Sequence, residues 1–225
     1  SEEDISESVE KEVSEEDQKQ TEETEVFPNR FICYIETTWS NGTINKATGW
    51  LCGPSTMMTV AHNDYDPDKG WPTSIRIWPG RNKNTAAYGS ARGIEIHMPA
   101  AYKYFSVTKY DVALIYLNTP IGSKTGYFGI KYRPESYASS AVFIAGYPLE
   151  KNKELWKAAG RILGVQLGEL HYTIDTENGQ SGSPIYLGSG AERYCVGIHN
   201  GSQSKYNVGN QITLCIFNWI KNKRK

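Results

Sequence analysis

The sequence lacks the signatures of several protein classes. No apolar run approaches the roughly 18 residues that a membrane-spanning helix needs, so we expect no membrane partner. The four cysteines form no CxxC pair and the four histidines form no HExxH pair, so neither a zinc site nor a redox motif is predicted. Lysines and arginines are scattered rather than interleaved with aromatic residues, which argues against nucleic acid as a partner. We therefore expect no metal and no cofactor.

What is present is enough material for a folded core. The chain has 225 residues, of which 39% are hydrophobic, and this allows one large domain or two small ones. A wholly disordered chain is excluded. No signal-peptide pattern opens the sequence, and the first residue is Ser1 rather than Met, so we expect that an upstream segment has been removed.

Charge is distributed unevenly along the chain. Residues 1–25 carry twelve acidic side chains and two lysines, a net charge of −10, whereas residues 26–225 carry a net charge of +9. The acidic segment has almost no apolar residues to bury, so we expect residues 1–25 to form a disordered N-terminal extension. A second interpretation is a removable pro-segment held electrostatically by the basic body, which would make the chain a zymogen.

From Phe27 onward, short runs rich in Val, Ile, Tyr and Thr alternate with turn residues. No long amphipathic helix separates these runs, and the pattern is typical of an all-β sandwich or barrel. Only the stretch CIFNWIKNKRK indicates a short C-terminal helix. We expect a first β unit over residues 26–122, a linker over 123–140, and a second β unit with the helix over 141–225.

Three local signatures predict nucleophilic catalysis. His62 follows a strand in TVAHN, Asp111 opens the strand of YDVALIYL, and Ser181 lies between glycines in NGQSGSPIY. A serine hydroxyl needs a base that takes its proton as it attacks, and the base needs a carboxylate that orients it. These roles fall to Ser181, His62 and Asp111. The backbone N–H groups of Gly179 and Ser181 would stabilise the developing oxyanion.

Each signature alone is weak, since a lone histidine after a strand is more often structural. The His–Asp–Ser order on an all-β background is much more specific. The competing GxSxG motif of the α/β-hydrolases fails because Ser183 occupies the position of its last glycine. The order of the three residues along the chain is also wrong for that fold.

The motifs TVAHN, YDVALIYL and GQSGSP resemble those of the chymotrypsin-like serine proteases, and specifically of the bacterial glutamyl endopeptidases. The resemblance extends from Phe27 to Trp219 and includes FPNRFICYI, TGWLCGPSTMMTVAH, WPGRN, TPIGSKTGYFG and AGYP. It implies an all-β fold of two six-stranded antiparallel barrels with the active site in the cleft between them. His62 and Asp111 would come from the first barrel and Ser181 from the second.

The resemblance also implies a primary pocket for a glutamate side chain. His199 in VGIHNGS and Thr176 in DTENGQS occupy the positions that line this pocket in the family. Their N–H and O–H groups would replace the water that the glutamate carboxylate loses. The backbone of Asn200, Gly201 and Ser202 would pair with the substrate as an added antiparallel strand. Without the resemblance, a satisfied core histidine is the simpler interpretation of His199.

The cysteines are Cys33, Cys52, Cys195 and Cys215. Their positions would suit one disulfide in each half of the chain, and four free, buried thiols are the alternative. Many relatives carry a cysteine where this chain has Asn63, so the resemblance leaves Cys52 free or paired with Cys33. In some relatives the mature α-amino group lies near the pocket. Spacing from FPNRF places that terminus near Glu10–Val13, inside the acidic segment.

The sequence thus predicts a secreted, extracellular and monomeric serine endopeptidase that needs no cofactor. Its partners would be protein or peptide substrates with Glu before the scissile bond, cleaved through an acyl-enzyme, with Asp accepted less well and Gln rejected. The alternative is a latent or narrowly selective module for binding or toxicity, built on a protease fold and capable of little general proteolysis.

Overall fold

β-Strands are the main secondary-structure element of the structure, a computed structural model that describes residues 16–188 and 193–225. Seven strands come first: β1 (Glu16–Thr21), β2 (Ile32–Thr38), β3 (Ile44–Gly53), β4 (Thr56–Thr59), β5 (Ser74–Pro79), β6 (Ala91–His97) and β7 (Ala113–Leu117). Seven follow: β8 (Gly129–Ile130), β9 (Ala141–Gly146), β10 (Leu155–Gln166), β11 (Glu169–Tyr172), β12 (Pro184–Leu187), β13 (Tyr194–Ser202) and β14 (Asn207–Gln211).

Twelve of these strands form two closed barrels of six antiparallel strands each, and β1 and β8 lie outside them. The first barrel has the order β2–β3–β4–β7–β6–β5, and the second has the order β9–β10–β11–β14–β13–β12 and closes through the pairing of β9 with β10. The two-barrel architecture predicted from the resemblance is confirmed. The stretch between Leu117 and Ala141, which includes the expected linker over 123–140, joins the barrels.

The side-chain pattern of each strand matches its position. In β5, Ile75 and Ile77 are buried while Arg76 between them is exposed, so one face of this strand packs inside the barrel. In β7, every residue of ALIYL is buried, because both faces of this strand are covered. A shared hydrophobic core, which includes Trp50, Phe128 and Tyr186, joins the two barrels. The relative position of the barrels, and of the cleft between them, is therefore fixed by packing.

Three helices lie outside the strands in the described ranges. They are α1 (Ala100–Phe105), α2 (Gly122–Thr125) and α3 (Leu214–Lys223). The predicted C-terminal helix is confirmed as α3. Its N-cap is Thr213, and the side chain of this threonine accepts a hydrogen bond from the N–H of Ile216. None of these helices has the length and apolar character required to cross a membrane.

The acidic N-terminal segment differs from its expected disorder where the structure describes it. Glu16–Thr21 form β1, which pairs antiparallel with the first half of β10. The second half of β10 pairs with β11, so β1 covers the stretch of this edge that β11 does not reach. The strand is stabilised by its backbone hydrogen bonds to β10 and by the burial of Gln18. Neither of these can be predicted from the acidic composition of the segment. The predicted terminus near Glu10–Val13 lies outside the described residues.

Candidate active site

His62 and Asp111 lie where two neighbouring strands of the first barrel meet. His62 is in a short 3₁₀ turn directly after β4, and Asp111 directly follows another 3₁₀ turn and precedes β7. Because β4 and β7 pair antiparallel, the end of β4 adjoins the beginning of β7. The pairing brings together two residues that are 49 positions apart in the chain.

Asp111 binds His62 at two points. Its Oδ1 accepts the backbone N–H of His62 at 2.9 Å, and its Oδ2 lies 2.6 Å from Nδ1 of the imidazole. The Asp111 side chain is 7% exposed, whereas that of His62 is 38% exposed. The buried carboxylate therefore orients the ring, keeps the proton on Nδ1 and leaves Nε2 free to accept another.

The surroundings of His62 favour its charged form. Burial of the ring lowers the pKa of His62, but the hydrogen bond that the ring donates to Asp111, the negative charge of Asp111 and the charge of Asp64 together raise this pKa above the usual 6.5. Asp64 is itself buried, and burial raises the pKa of its carboxyl to about 6, against the opposing effects of the Thr37 hydrogen bond and the His62 charge. The site therefore stabilises an imidazolium, which a general base becomes during catalysis.

Asn200 contacts two residues of the predicted triad, Asp111 and Ser181. Its Nδ2 donates to Oδ2 of Asp111 at 3.0 Å, and its backbone oxygen accepts the hydroxyl of Ser181 at 3.0 Å. Among the described residues no hydrogen bond joins Ser181 to His62, and the serine hydroxyl donates to Asn200 instead. The Nδ2 of Asn63 donates to the backbone oxygen of Ser181 at 2.9 Å and ties the serine to the turn that carries His62.

The turn around Ser181 requires glycine on both sides. Gly179 and Gly182 have φ values of +96° and +93°, in the region that residues with a side chain rarely adopt. A Cβ on Gly182 would lie 2.0 Å from the backbone oxygen of Thr48, and one on Gly179 would lie 2.7 Å from that of Tyr147. Neither position has room for a side chain.

This turn leaves two backbone donors unused. The N–H of Gln180 donates to Glu177 and the N–H of Gly182 donates to His199. By contrast, the N–H groups of Gly179 and Ser181 have no hydrogen-bond acceptor within the part of the chain that the structure describes. Two unpaired donors beside a serine hydroxyl suit an oxyanion, and these are the two N–H groups for which the sequence predicts that role.

The predicted pocket residue His199 is buried, at 2% exposure, and its Nδ1 lies 2.7 Å from the hydroxyl of Tyr172. Burial and, to a smaller extent, the charge of His62 together lower the pKa of His199 to about 4. Burial also raises the pKa of Tyr172 well above its usual value, so this hydroxyl keeps its proton. When this hydroxyl donates to Nδ1, the neutral ring of His199 carries its proton on Nε2.

Thr176 is held by a different side chain. Nδ2 of Asn207 donates to Oγ1 of Thr176 at 3.0 Å and to the backbone oxygen of Ile174 at 2.7 Å. Asn207 lies on β14 opposite Tyr172 of β11 and Ser202 of β13. Because Oγ1 of Thr176 is occupied as an acceptor, its own proton is available for a further partner.

The end of β13 has one open edge. The pairing of β12 with β13 ends at Ile198, while the pairing with β14 continues to Ser202. A Cβ on Gly201 would meet no atom within 4 Å. In the described ranges, the residues from Asn200 to Ser202 thus have a neighbouring strand on one side only, which leaves space for an added strand.

The expected disulfides are not formed in the structure. All four cysteines are free; Cys33, Cys52 and Cys195 are buried and Cys215 is exposed. Cys33 lies opposite Gly49 rather than Cys52 in the β2–β3 ladder, and Cys195 lies on β13 while Cys215 lies on α3. The register of the β2–β3 ladder therefore does not place Cys33 directly opposite Cys52. Within the described ranges, no three His, Cys, Asp or Glu side chains are grouped closely enough to hold a metal ion.

Three contacts of the site were not predicted: the Asn200 side chain on Asp111, the Tyr172 hydroxyl on His199, and Asn207 on Thr176. In the same order, these contacts join residues that are 89, 27 and 31 positions apart in the chain. Only the first had a signal in the sequence, because Asn200 immediately follows a predicted pocket residue and an amide is a good donor to a carboxylate.

Comparison with known proteins places the chain among peptidases. Residues 47–198 match the family described as trypsin-like peptidase domain. A glutamyl endopeptidase of Bacillus licheniformis is 33% identical over 225 residues, which cover 96% of this chain and 69% of the relative. An extracellular metalloprotease of Bacillus subtilis is 31% identical over 204 residues, covering 88% of this chain and 64% of the relative.

A solved structure of a Glu endopeptidase in complex with MPD has the same fold. It superimposes with a TM-score of 0.83 at 28% sequence identity, over 93% of this chain and 97% of that chain. The chain spans about two thirds of the length of the two curated Bacillus relatives, but nearly the whole of this solved chain.

Proposed function

The chain belongs to the trypsin-like peptidases, as a serine endopeptidase of the glutamyl endopeptidase type, and from this we propose that it hydrolyses peptide bonds after glutamate through Ser181, His62 and Asp111. The observation that carries the proposal is the two-point contact of Asp111 with His62, beside a serine in a turn with two unpaired N–H groups. These are the parts that acyl transfer needs: an oriented base, a nucleophile and an oxyanion site.

In the proposed reaction, the Ser181 hydroxyl leaves the Asn200 oxygen and turns to Nε2 of His62. As Oγ bonds to the carbonyl carbon, its proton passes to Nε2, and the N–H groups of Gly179 and Ser181 bind the oxyanion. The imidazolium then gives this proton to the leaving amine, and an acyl-enzyme forms. Water, activated by His62, hydrolyses the acyl-enzyme and restores Ser181.

Glutamate selectivity is proposed to come from His199 and Thr176. Nε2–H of His199 and Oγ1–H of Thr176 would donate to the substrate carboxylate, which is costly to desolvate without partners. The proposal is supported by the contacts of Tyr172 and Asn207, which leave those two protons available. A substrate aspartate is one methylene shorter, and a methylene is worth about 1–3 kcal/mol in a pocket, so discrimination against Asp is graded.

The test is kcat/KM on short peptides that differ only in the residue before the scissile bond, Glu, Asp, Gln or Lys. Glu-selective turnover that disappears in Ser181→Ala is the expected result. Turnover of the Lys peptide with the same efficiency as the Glu peptide would contradict the proposed pocket. Turnover that persists in Ser181→Ala would contradict the proposed nucleophile.

One observation favours the alternative, a latent or narrowly selective module. The Ser181 hydroxyl donates to Asn200 instead of His62. In a latent protein this hydrogen bond would persist, and a fluorophosphonate reagent would fail to label Ser181 although His62 and Asp111 are intact. Rapid labelling of the intact protein but not of Ser181→Ala would eliminate the latent state.

We also propose that the protein acts outside the cell, as a monomer. The extracellular proposal is supported by the Bacillus subtilis relative, which is named as an extracellular metalloprotease. Activity in the culture medium of the source cells, rather than in the cell extract, is the expected result. Sedimentation at the mass of a single chain, 25.2 kDa, tests the second part.

A further inference from the structure

The N-terminal strand β1 reaches the loop that carries the nucleophile. Gln18 on β1 is 8% exposed, and its Nε2 donates to Oε1 of Gln180 at 3.0 Å. The same Nε2 donates to the backbone oxygen of Asp175 at 3.3 Å. Gln180 lies between Gly179 and Ser181, and Asp175 precedes Thr176 of the proposed pocket. One amide group from the N-terminal segment therefore contacts both sides of the loop.

Gln180 organises this loop from inside. It is 1% exposed, and its Oε1 accepts the N–H of Glu177 at 2.7 Å in addition to the amide of Gln18. Its backbone oxygen accepts the Ser183 hydroxyl at 2.6 Å and the Ser183 N–H at 3.0 Å. The side chain and the backbone of Gln180 thus fix the direction of the peptide groups on either side of it. The following group contains the N–H of Ser181, and the preceding group joins Gln180 to Gly179, whose own N–H lies one peptide further along the loop.

We propose that β1 is a positioning element of the active site, and that Gln18 is a positioning residue that holds Gln180 so that both oxyanion donors point at the reacting carbonyl. This inference rests on the oxyanion assignment in the proposed function, not on the choice of glutamate as substrate. Under this proposal, a strand of the acidic segment positions catalytic groups, although the composition of that segment indicates only a solvated extension.

The physical basis is the freedom of the glycine-flanked loop. Gly179 and Gly182 give the backbone access to several conformations, and the oxyanion site requires one of them. Gln18 is held in place because β1 is paired with β10 through Lys19↔Lys157, Gln20↔Trp156 and Thr21↔Leu155. Displacement of a catalytic group by about 1 Å can cost about 100-fold in rate, so a fixed anchor on this loop affects turnover.

The matched variants are Gln18→Met and Gln20→Met. Methionine keeps the length and volume of glutamine but has no donor. Gln20 is on the same strand, and its Nε2 is buried without a hydrogen-bond partner in the described residues, so Gln20→Met is the control. We expect kcat of Gln18→Met to fall about 10- to 100-fold with KM within about twofold, and that of Gln20→Met to stay within about twofold of the unmodified chain.

The substrates separate this inference from the proposed function. Besides the best peptide substrate, p-nitrophenyl acetate is used, because this ester needs Ser181 and the oxyanion donors but has no side chain for the pocket. The same loss of kcat on both substrates supports the inference even if the glutamate preference proves wrong. Ser181→Ala gives the background rate of ester hydrolysis.

Two outcomes would overturn the inference. If kcat of Gln18→Met equals that of Gln20→Met on both substrates, the Gln18 amide has no role in turnover. An equal fall in kcat in the two variants, together with an equal fall in Tm, assigns β1 a merely structural role. Rates are expressed per reactive serine, counted by complete labelling with a fluorophosphonate, so that any unfolded fraction does not contribute to the comparison.

Discussion

The surroundings of His62 and of His199 have opposite effects on the same side chain. His62 contacts a buried carboxylate through Nδ1, and its pKa is raised although burial of the ring lowers it. His199 contacts a neutral tyrosine hydroxyl through Nδ1, and burial lowers its pKa to about 4. Both rings have a fixed tautomer with Nδ1 occupied. They differ in the charge of the partner and in exposure.

This difference explains how one fold can use two histidines for two tasks. A general base must become a cation during the reaction, and the Asp111 carboxylate stabilises that cation. A pocket that selects a carboxylate over an amide needs a donor that does not lose its proton between acid and neutral pH. In the proposed function, the neutral Nε2–H of His199 meets this requirement, with the Tyr172 hydroxyl as the partner of Nδ1. Under that proposal, the identity of the Nδ1 partner separates catalysis from recognition.

The largest effect on turnover is expected when the charged partner of His62 is replaced. In Asp111→Asn, the base loses the negative charge that stabilises its cation, and an amide can favour the wrong tautomer of His62. We expect kcat to fall by about 10⁴-fold on all substrates, as measured by initial rates at saturating peptide. KM is the internal control, because His199 is not altered. A fall of less than tenfold would show that Asp111 is not the orienting acid.

The second prediction removes the recognition histidine. In His199→Ala, the substrate carboxylate loses one donor, and we expect kcat/KM on the Glu peptide to fall by about 2–4 kcal/mol, or about 30- to 1,000-fold. Hydrolysis of p-nitrophenyl acetate should change little, because the triad is intact. An unchanged preference for Glu over Gln in this variant would contradict the assignment of His199 to the pocket.

The third and smallest effect concerns the neutral partner. Tyr172→Phe removes the hydroxyl that determines the tautomer of His199, and we expect kcat/KM on the Glu peptide to fall about tenfold with no change on the ester. Tyr186→Phe is the matched control, because the Tyr186 hydroxyl is also buried but has no partner in the described residues. Equal losses in the two variants would assign the Tyr172 hydroxyl no role in selectivity.

The predictability of the site from sequence follows from how each contact is encoded. His62, Asp111 and Ser181 lie in short motifs with a turn or a strand beside them, so residue type and local spacing indicated their roles. Tyr172 and Gln18 act across the sheets through strand register. Since a shift of one residue in register reverses the face on which a side chain lies, spacing in the chain does not predict such contacts.

The fold was predicted at the level of its barrels but not at its N-terminus. Alternating apolar residues and the resemblance indicated two β units and a terminal helix, and the structure has both. Strand β1 was missed because its residues are polar and acidic, and its pairing depends on an edge of β10 that β11 leaves uncovered. Sequence composition describes what a segment can bury, whereas an open strand edge is a property of the folded chain.

In the proposed function, a neutral His199 selects glutamate while a chargeable His62 performs catalysis. The most direct test of this assignment is kcat/KM for matched Glu and Gln peptides between about pH 5.5 and about pH 9, where the substrate carboxylate is ionised. The account predicts that both values rise together as His62 loses its proton, with a midpoint above 6.5, and that their ratio stays constant and favours Glu. A ratio that declines through a midpoint near 6.5 would show that selectivity depends on a charged His199, and a ratio near one would show that the pocket does not select glutamate.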